Sequence, residues 1–342
     1  MKSNQKKLFE KNISKYQYQV CGLTIESEIE LLELKKQKTA GAGAIDTTGI
    51  SNSQKADSNL LPTCDISVTL ADTQVPFQDE PTVIKPFSKF NANEYHFELA
   101  GVIRMLIRNG SEIRLEILTE DINYALLSVY QNAIPIALLQ RGIIPFKASG
   151  VIDKNGKVWL FFAQPRSGMT SNVIFLMERG LQFFSDSLVA LRLENDTIFA
   201  APFGPSLHIW KPVFDKQSIF KPENVRSIRE SIPKFVARVN SNDFDPKERP
   251  VRGLIQVEHL ANSITDVPIK MIDAFETLRN AVYHNHLTSH LGIEPKIFAM
   301  LTTMVKQTKL VRVTRPKNKE TFHELAEYID TQIIHGSGVQ HV

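Results

Sequence analysis

The chain has 342 residues, of which 42% are hydrophobic, so it can bury one large or two moderate apolar cores. Its 40 lysine and arginine residues nearly balance 37 aspartate and glutamate residues, and the net charge of +3 gives no electrostatic case for nucleic acid as the main partner. The two cysteines, Cys21 and Cys64, form no C-x-x-C pair, which favours a reducing cytoplasm. We expect neither a signal peptide nor a membrane span, because the charged first residues lead into no apolar segment and no later apolar run is long enough.

The patterns over residues 1–118 predict an N-terminal β-rich region. Apolar and polar residues largely alternate over residues 16–34, as in a half-buried strand. Residues 35–59 are rich in Ala, Gly, Ser, Thr, Lys and Gln, a composition that predicts a flexible surface loop. Further short strands are predicted at residues 64–70, 95–99, 102–107 and 112–117, with a hairpin turn at Asn109-Gly110.

Over residues 119–335 the sequence pattern changes to one of alternating helices and strands, which predicts an α/β domain with a C-terminal extension. A long helix is predicted over residues 121–141, broken or kinked near Pro135 and closed by Gly142. The other main elements are predicted strands at 143–151, 157–162, 188–193, 197–201, 251–259 and 309–313, and predicted helices at 268–291 and 319–334.

A predicted strand–loop–helix unit over residues 157–180 is the centre of this region. Its first six residues are an apolar run typical of a buried strand, and apolar residues recur at helical spacing over residues 169–177. Gly180 is a suitable residue to end that helix. This is the setting of a phosphate-binding P-loop, whose pattern is G-x-x-x-x-G-K-[ST].

The P-loop pattern itself is only partly present. Gly168 and Thr170 match it, whereas Ala163 replaces the first glycine and Met169 replaces the lysine. Under this alignment, the candidate phosphate-binding residues are Ala163, Arg166, Ser167, Gly168, Met169 and Thr170.

Several segments between residues 16 and 334 carry a family resemblance. They are residues 20–29, the strand with residues 147–149 between the long helix and the loop, residues 178–187, residues 202–210 and residues 310–316. Together they resemble the HPr serine kinase-like proteins, whose P-loop domain is akin to that of HPr kinase/phosphorylase and of ATP-dependent PEP carboxykinase. The resemblance implies an α/β fold with a P-loop core of that type behind an N-terminal β-rich region.

The chain departs from this family at the residues that carry its chemistry. Lys147 stands where the family has a histidine, and Met169 stands where it has the P-loop lysine. The family's acidic pair, which serves magnesium and substrate activation, is reduced to Asp186 followed by Ser187, while Thr170 keeps a hydroxyl. The resemblance therefore implies Asp186 and Lys147 as candidate catalytic residues, and Thr170 and Asp186 as candidate metal ligands.

These departures weaken phosphoryl transfer for physical reasons. Methionine carries no charge, and losing one charge-assisted hydrogen bond costs roughly 1.5–3 kcal/mol. Removing one preorganised contact to a transferring phosphoryl group typically slows the reaction ~10²–10³-fold. Arg166 or Lys147 could restore part of the charge, although a solvated or ion-paired surface position is the commoner role of such residues.

Two hypotheses of different classes follow. The preferred one is a degenerate HPr kinase-like protein, a pseudokinase that acts as a non-catalytic or weakly active binding or regulatory module. The other is an active ATP-dependent phosphotransferase in which Lys147, Arg166, Thr170 and Asp186 are rearranged. The resemblance implies ATP and magnesium as cofactors, and the lost lysine and histidine argue against tight binding.

A peptide or protein is the expected partner, because members of this family often occur beside peptide-modification genes. Neither nucleic acid nor a membrane is expected as a partner, and an oligomer stays open.

Three weaker signals each have two interpretations. His286 and His290 have i,i+4 spacing on a predicted helix, which suits a metal site, but a packed or solvated helix face is preferred. Residues 306–319 are basic, and we expect them to contain an edge strand protected by lysine. Either an acidic partner's site or a solvated helix face explains Arg226, Arg229, Lys234 and Arg238.

Overall fold

The computed structural model describes residues 15–37, 64–162, 168–229, 231–240, 243–316 and 319–336. In these residues the chain forms two large β-sheets, one three-stranded sheet and six helices. The predicted mixed α/β fold is therefore confirmed.

The described residues between 16 and 117 form the first sheet. Its strands are β1 (Tyr16–Val20), β2 (Leu23–Ser27), β3 (Lys35–Lys36), β4 (Ile66–Leu70), β5 (Val83–Lys85), β6 (Ser88–Phe90), β7 (Glu94–Leu99), β8 (Ile103–Arg108) and β9 (Glu112–Ile117). They lie in the order β3-β1-β2-β4-β9-β8-β7-β6-β5, and β4 is parallel to both of its neighbours.

Two predictions for this sheet need correction. The strand pattern over residues 16–34 belongs to a hairpin of β1 and β2, because Cys21 and Gly22 adopt φ angles of 54° and 74° and reverse the chain. The predicted loop over residues 35–59 begins as β3, which pairs with β1. The rest of that prediction falls on residues 38–63, which lie outside the described residues.

The second sheet also contains three adjacent parallel strands. Its strands are β10 (Ile144–Phe146), β11 (Ser149–Ile152), β12 (Val158–Phe162), β13 (Gln182–Ser185), β14 (Val189–Glu194), β15 (Thr197–Pro202), β19 (Arg249–Ala261), β20 (Thr265–Pro268) and β21 (Lys309–Pro316). The order is β10-β14-β15-β19-β12-β11-β13, with β21 paired to β19 and β20 paired to β21. Strands β12, β19 and β21 are parallel, so their carboxyl ends lie at one edge of the sheet.

The third sheet is small and basic. It consists of β16 (Ser206–Trp210), β17 (Val225–Arg229) and β18 (Ile232–Arg238), in the order β16-β18-β17. The basic residues expected on a helix face therefore lie on strands, where period-two alternation decides which side chains share a face. In the second sheet, β21 is not the expected edge strand, because β20 pairs with it.

Strand β12 shows why an unbroken apolar run suits this fold. All five of its residues are buried. Their side chains enter two apolar clusters alternately, with Val158, Leu160 and Phe162 in one and Trp159 and Phe161 in the other. A parallel strand covered on both faces needs apolar residues at every position. The buried strand predicted before the loop is confirmed.

The helices pack on the large sheets or on one another, except for the short helix at Lys211–Phe214, which packs on the third sheet. They are α1 (Ile122–Gln140), α2 (Met169–Glu178), α3 (Lys211–Phe214), α4 (Met271–Ala281), α5 (Glu294–Gln307) and α6 (Phe322–Tyr328), which continues as a π-helical segment over Ile329–Ile334. The helix predicted over residues 268–291 stops at Ala281, and His284 adopts a left-handed φ of 49°. His286 and His290 are therefore not on one α-helix, and among the described residues no cluster of three or more His, Cys, Asp or Glu could hold a metal.

Helix α1 packs against both large sheets, through contacts with β8 and β10. It is not broken at Pro135; instead, residues 129–133 form a π-helical segment. Proline cannot donate to the carbonyl four residues earlier, and that carbonyl, of Gln131, lies 3.2 Å from His284 Nε2. By length and composition α1 could cross a membrane, contrary to our expectation, but 67% of its most apolar window is buried inside the protein.

Candidate functional site

A cleft of about 800 Å³ opens at the carboxyl ends of the parallel strands. Phe162 ends β12 there, while Gln256 and Glu258 come from β19 and Arg312 from β21. Ligands of open α/β sheets bind at this edge. The remaining walls come from α1, α4, the third sheet and the N-terminal region, which contributes Glu33.

Helix α2 begins at this cleft. Its N-cap, Gly168, has a φ of 94°, and a Cβ added there would lie 2.9 Å from Ser171 Oγ. The first turn of a helix carries N–H groups without helical partners, and the helix dipole favours an anion there. Asn172 is 5% exposed, and its Nδ2 has no hydrogen-bond partner among the residues that the structure describes. A guanidinium nitrogen of Arg315 would lie 3.8 Å from the same added Cβ.

Three of the predicted phosphate-binding residues cannot be placed. Ala163, Arg166 and Ser167 lie outside the described residues, so their roles stay predictions. Met169 lines the cleft and is half-buried. Its thioether supplies no charge to a bound anion.

Asp186 follows β13 and is 3% exposed. Its Oδ1 accepts hydrogen bonds from Ser149 Oγ at 2.5 Å and from Thr170 Oγ1 at 2.8 Å. Its Oδ2 accepts from the backbone N–H of His208 at 3.0 Å and from Ser187 Oγ at 3.2 Å. Four protein donors therefore engage both oxygens of this carboxylate.

A tight turn holds Asp186 in place. Ser187 has a left-handed φ of 67°, and the Leu188 N–H donates to the Asp186 carbonyl at 2.8 Å. The hydroxyl of Tyr283 donates to the Ser187 carbonyl at 3.1 Å. A left-handed conformation at a residue other than glycine costs about 1–2 kcal/mol, and such conformations cluster at functional sites.

The predicted metal ligands, Thr170 and Asp186, are in direct contact. Magnesium usually takes one or two protein carboxylates and completes its shell with water and phosphate oxygens. The hydroxyl and the carboxylate suit a magnesium ion that arrives with a phosphate ligand. They suit a resident metal less well, because four protein donors already engage both oxygens of Asp186.

Lys147, the other candidate catalytic residue, is exposed at the cleft. Its backbone N–H donates to the Ala281 carbonyl at 2.7 Å, and its Nζ lies 5.2 Å from the centre of the Tyr283 ring. This aromatic contact orients the lysine along the cleft wall. Burial raises the pKa of Tyr283 well above its usual range, so the ring stays neutral.

The wall of the cleft formed by the third sheet, α1 and the N-terminal region contains four polar residues, of which the sequence analysis singled out only Lys234, as part of a basic group that could serve an acidic partner. We call Glu33, Tyr130, His208 and Lys234 the inner wall. Glu33 is 2% exposed, and its carboxylate lies 3.3 Å from an Arg226 guanidinium nitrogen. His208 Nε2 lies 3.1 Å from the other Glu33 oxygen, but the two groups are not aligned as a hydrogen bond.

The other two members of the inner wall have unused hydrogen-bonding capacity. Tyr130 is 5% exposed and lies by the Glu33 backbone, but its hydroxyl makes no aligned hydrogen bond within the described residues. Lys234 is half-buried, with Nζ 5.4 Å from the centre of the Trp210 ring. Burial lowers the pKa of Lys234, and the negative charges of Asp186 and Glu33 partly oppose that shift.

Comparisons with known proteins give a distant structural relation. No protein-family model matches the chain, and no curated protein matches it. Among solved structures, the chain is similar to the HPr(Ser) kinase/phosphatase from Coxiella burnetii, with 10% sequence identity and a TM-score of 0.28. The match covers 54% of this chain and 93% of that chain. It is a distant structural relation, and it identifies neither a ligand nor a reaction.

Proposed function

We propose that this protein is a degenerate HPr kinase-like module of the cytoplasm, non-catalytic or weakly active, which binds a peptide or protein partner. The observation that carries this proposal is the set of four donors on Asp186. A carboxylate that activates a hydroxyl or holds a metal needs a free oxygen facing the substrate. Here each oxygen would first have to give up a protein donor.

The positive charges needed for phosphoryl transfer are also incomplete. Met169 has replaced the lysine, and Lys147 is exposed against Tyr283. Phosphoryl transfer depends on fixed cations around the transferring group. The cleft is thus better suited to holding a ligand than to reacting with it.

The P-loop core of the HPr kinase/PEP carboxykinase type is part of this proposal. It is supported by the buried strand β12, by Gly168 at the start of α2 and by Thr170 in its first turn. ATP and magnesium, when present, would be held by the start of α2 and by Thr170 and Asp186. The magnesium ion would neutralise phosphate charge. We expect weak binding, because the missing lysine costs roughly 1.5–3 kcal/mol.

An active ATP-dependent phosphotransferase is the second candidate. The 2.8 Å contact between Thr170 and Asp186 favours it, since both oxygens would face one magnesium ion. Two cations, Arg315 beside Gly168 and Lys234 on the inner wall, also favour it. They are the residues to test if the unmodified protein proves active.

The two candidates differ in ATP turnover and in ATP affinity. For the binding module, we expect no ATP hydrolysis or transfer, and no change in melting temperature with magnesium–ATP below millimolar concentration. Calorimetric titration and an ADP-release assay on the purified protein measure both. The Asp186→Ala variant, purified identically, reports any contaminating activity. Turnover in the unmodified protein that this variant lacks would overturn the proposal in favour of the phosphotransferase.

A further inference from the structure

We propose that the inner wall binds a phosphate oxyanion, with Lys234 as its charged ligand. This inference rests on the proposed function, because it specifies the chemical group that the partner presents to the same cleft.

The face of the third sheet explains why Lys234 is available. In antiparallel β16 and β18, His208 is opposite Val236 and Trp210 is opposite Lys234, so these four side chains share one face. Arg226 lies on that face too, opposite Val236 on the other side of β18.

The other basic side chains of this face hold the N-terminal region. Arg226 pairs with Glu33, and Arg238 donates to the carbonyls of Leu32 and Leu34. Both arginines therefore have structural partners. Lys234 has none of these contacts, and within the described residues its Nζ has no carboxylate at ion-pair distance.

The surroundings of Lys234 suit an incoming anion. The side chain is half-buried above the Trp210 ring, which removes part of its hydration. Its charge interacts with Asp186 and Glu33, but both carboxylates are already engaged by other donors. A partly dehydrated cation without a paired anion is costly, and a bound oxyanion would remove that cost.

One buried polar atom in the same cleft points to the same ligand. The Tyr130 hydroxyl lines the cleft and makes no aligned hydrogen bond within the described residues. Buried polar atoms without a partner are rare in folded proteins, so this one calls for an explanation. An oxyanion against the wall would accept a hydrogen bond from it, whereas His208 Nε2 already faces a Glu33 oxygen at 3.1 Å.

The balance of donors and acceptors selects the ligand class. Lys234 offers three N–H donors and Tyr130 one O–H donor. The acceptors are occupied, since Asp186 receives four hydrogen bonds and Glu33 contacts Arg226 and His208. A wall that donates more than it accepts fits a group made only of acceptors, such as a phosphate monoester dianion. That dianion can come from a nucleotide or from a phosphorylated side chain.

The test is a set of titrations with the full chain. The probes are inorganic phosphate, O-phosphoserine and ATP, each followed by calorimetry at low salt. We expect millimolar binding to the unmodified protein and a roughly 10–100-fold loss for Lys234→Gln, the factor expected for a charge-assisted hydrogen bond. Lys234→Arg should keep most of the affinity, because it keeps the charge. Lys221→Gln, at an exposed lysine outside the cleft, should bind as the unmodified protein does.

Tyr130→Phe gives a second, independent measurement. It removes a hydroxyl that makes no aligned hydrogen bond within the described residues, so the fold should keep its stability while phosphate affinity falls several-fold. If Lys234→Gln loses affinity for O-phosphoserine and for ATP by the same factor, the wall recognises phosphate from either source. If it loses affinity for one probe alone, that probe's class is the ligand.

Two results would overturn this inference. One is unchanged binding in Lys234→Gln, and the other is no binding of any probe at millimolar concentration. Neither result bears on catalysis, which is judged by ATP turnover. ATP turnover would overturn the binding-module proposal. The ratio of phosphate affinities between the unmodified protein and Lys234→Gln would still test the inner wall.

Discussion

The two ends of one cleft differ in how their polar groups are satisfied. At the end next to α2, Asp186 accepts four hydrogen bonds, and its turn is fixed by Leu188 and Tyr283. At the inner wall, Glu33 contacts Arg226 and His208, whereas the Tyr130 hydroxyl makes no aligned hydrogen bond within the described residues. Asn172 Nδ2, in the first turn of α2, lacks such a partner as well, so the contrast is between the Asp186 network and the donors of Tyr130 and Lys234.

This difference separates structural residues from binding residues. A fully satisfied polar network rigidifies a site, whereas an unsatisfied buried donor is tolerated where a ligand completes it. We infer that Asp186 serves mainly to fix the strands and the helix around the cleft. Each prediction below changes one of the two ends and asks whether stability or binding responds.

The largest effect is expected for Asp186→Ala. The change leaves the donors of Ser149, Thr170, Ser187 and His208 without their acceptor, and each unpaired buried donor costs about 1–3 kcal/mol. Since such costs are not additive, we expect a loss of about 3–5 kcal/mol in the free energy of unfolding. Urea denaturation measures it.

Asp186→Asn is the matched control for this substitution. It keeps one carbonyl acceptor and the side-chain volume, so it should lose less stability than Asp186→Ala. Equal, small losses in both variants would mean that the network contributes little, and the proposed structural role of Asp186 would be wrong.

Met169→Lys should have the next largest effect, on affinity. It adds a cation in the first turn of α2, where the helix dipole favours an anion and where we propose that Thr170 contacts phosphate. A charge-assisted hydrogen bond contributes roughly 1.5–3 kcal/mol, so ATP affinity should rise at least about tenfold. Calorimetry measures the gain, and Met169→Gln, which adds no charge, is the control.

Phosphoryl transfer should not return in Met169→Lys. Lys147 stays exposed, and Ser187 still supplies no carboxylate. Transfer by this single variant would mean that the Asp186 network opens when a nucleotide binds, and the two ends of the cleft would no longer differ as described.

Ser149→Ala should have a smaller effect, on stability. Ser149 is fully buried and donates the shortest of the four hydrogen bonds to Asp186. Losing one such bond to a charged acceptor costs about 1.5–3 kcal/mol, partly offset because three donors remain on Asp186. Ser187→Ala, which removes a longer bond from a half-buried hydroxyl, should cost less in the same urea experiment.

The sequence predicted the parts of the fold that depend on local patterns. The apolar run of β12 and the helical spacing of α2 each span consecutive residues, and both elements are present. The turn at Asn109-Gly110 also joins β8 to β9 as expected, since both residues adopt the left-handed φ that this dipeptide favours.

The sequence did not predict what depends on distant segments. Glu33, Tyr130, His208 and Lys234 come from four separate stretches and meet only in the folded chain. No local spacing marks them. Two signals were available: the basic group that includes Lys234, for which an acidic partner's site was one open interpretation, and a charged residue among leucines at Glu33, because a buried acid needs partners. The predicted helix over residues 268–291 and the missed α5 reflect the same limit of local periodicity.

Lys234→Met should have the smallest effect on the free energy of unfolding. Whether this variant is more or less stable than the unmodified protein decides whether Lys234 is a structural residue, as Asp186 is. Burial lowers the pKa of Lys234 in the folded protein, while the unfolded chain keeps the ordinary lysine value. Between those two values the unfolded state binds more protons, so the stability contributed by this site rises with pH. The methionine carries no proton, so the variant lacks this dependence of stability on pH.

Lys234→Met should therefore be at least as stable as the unmodified protein near neutral pH. Its stability relative to the unmodified protein should decline as the pH rises toward the ordinary lysine pKa. Urea midpoints across this range measure the difference, with Lys221→Met as an exposed control. A variant that is clearly less stable at neutral pH would show that Lys234 is a structural residue like Asp186.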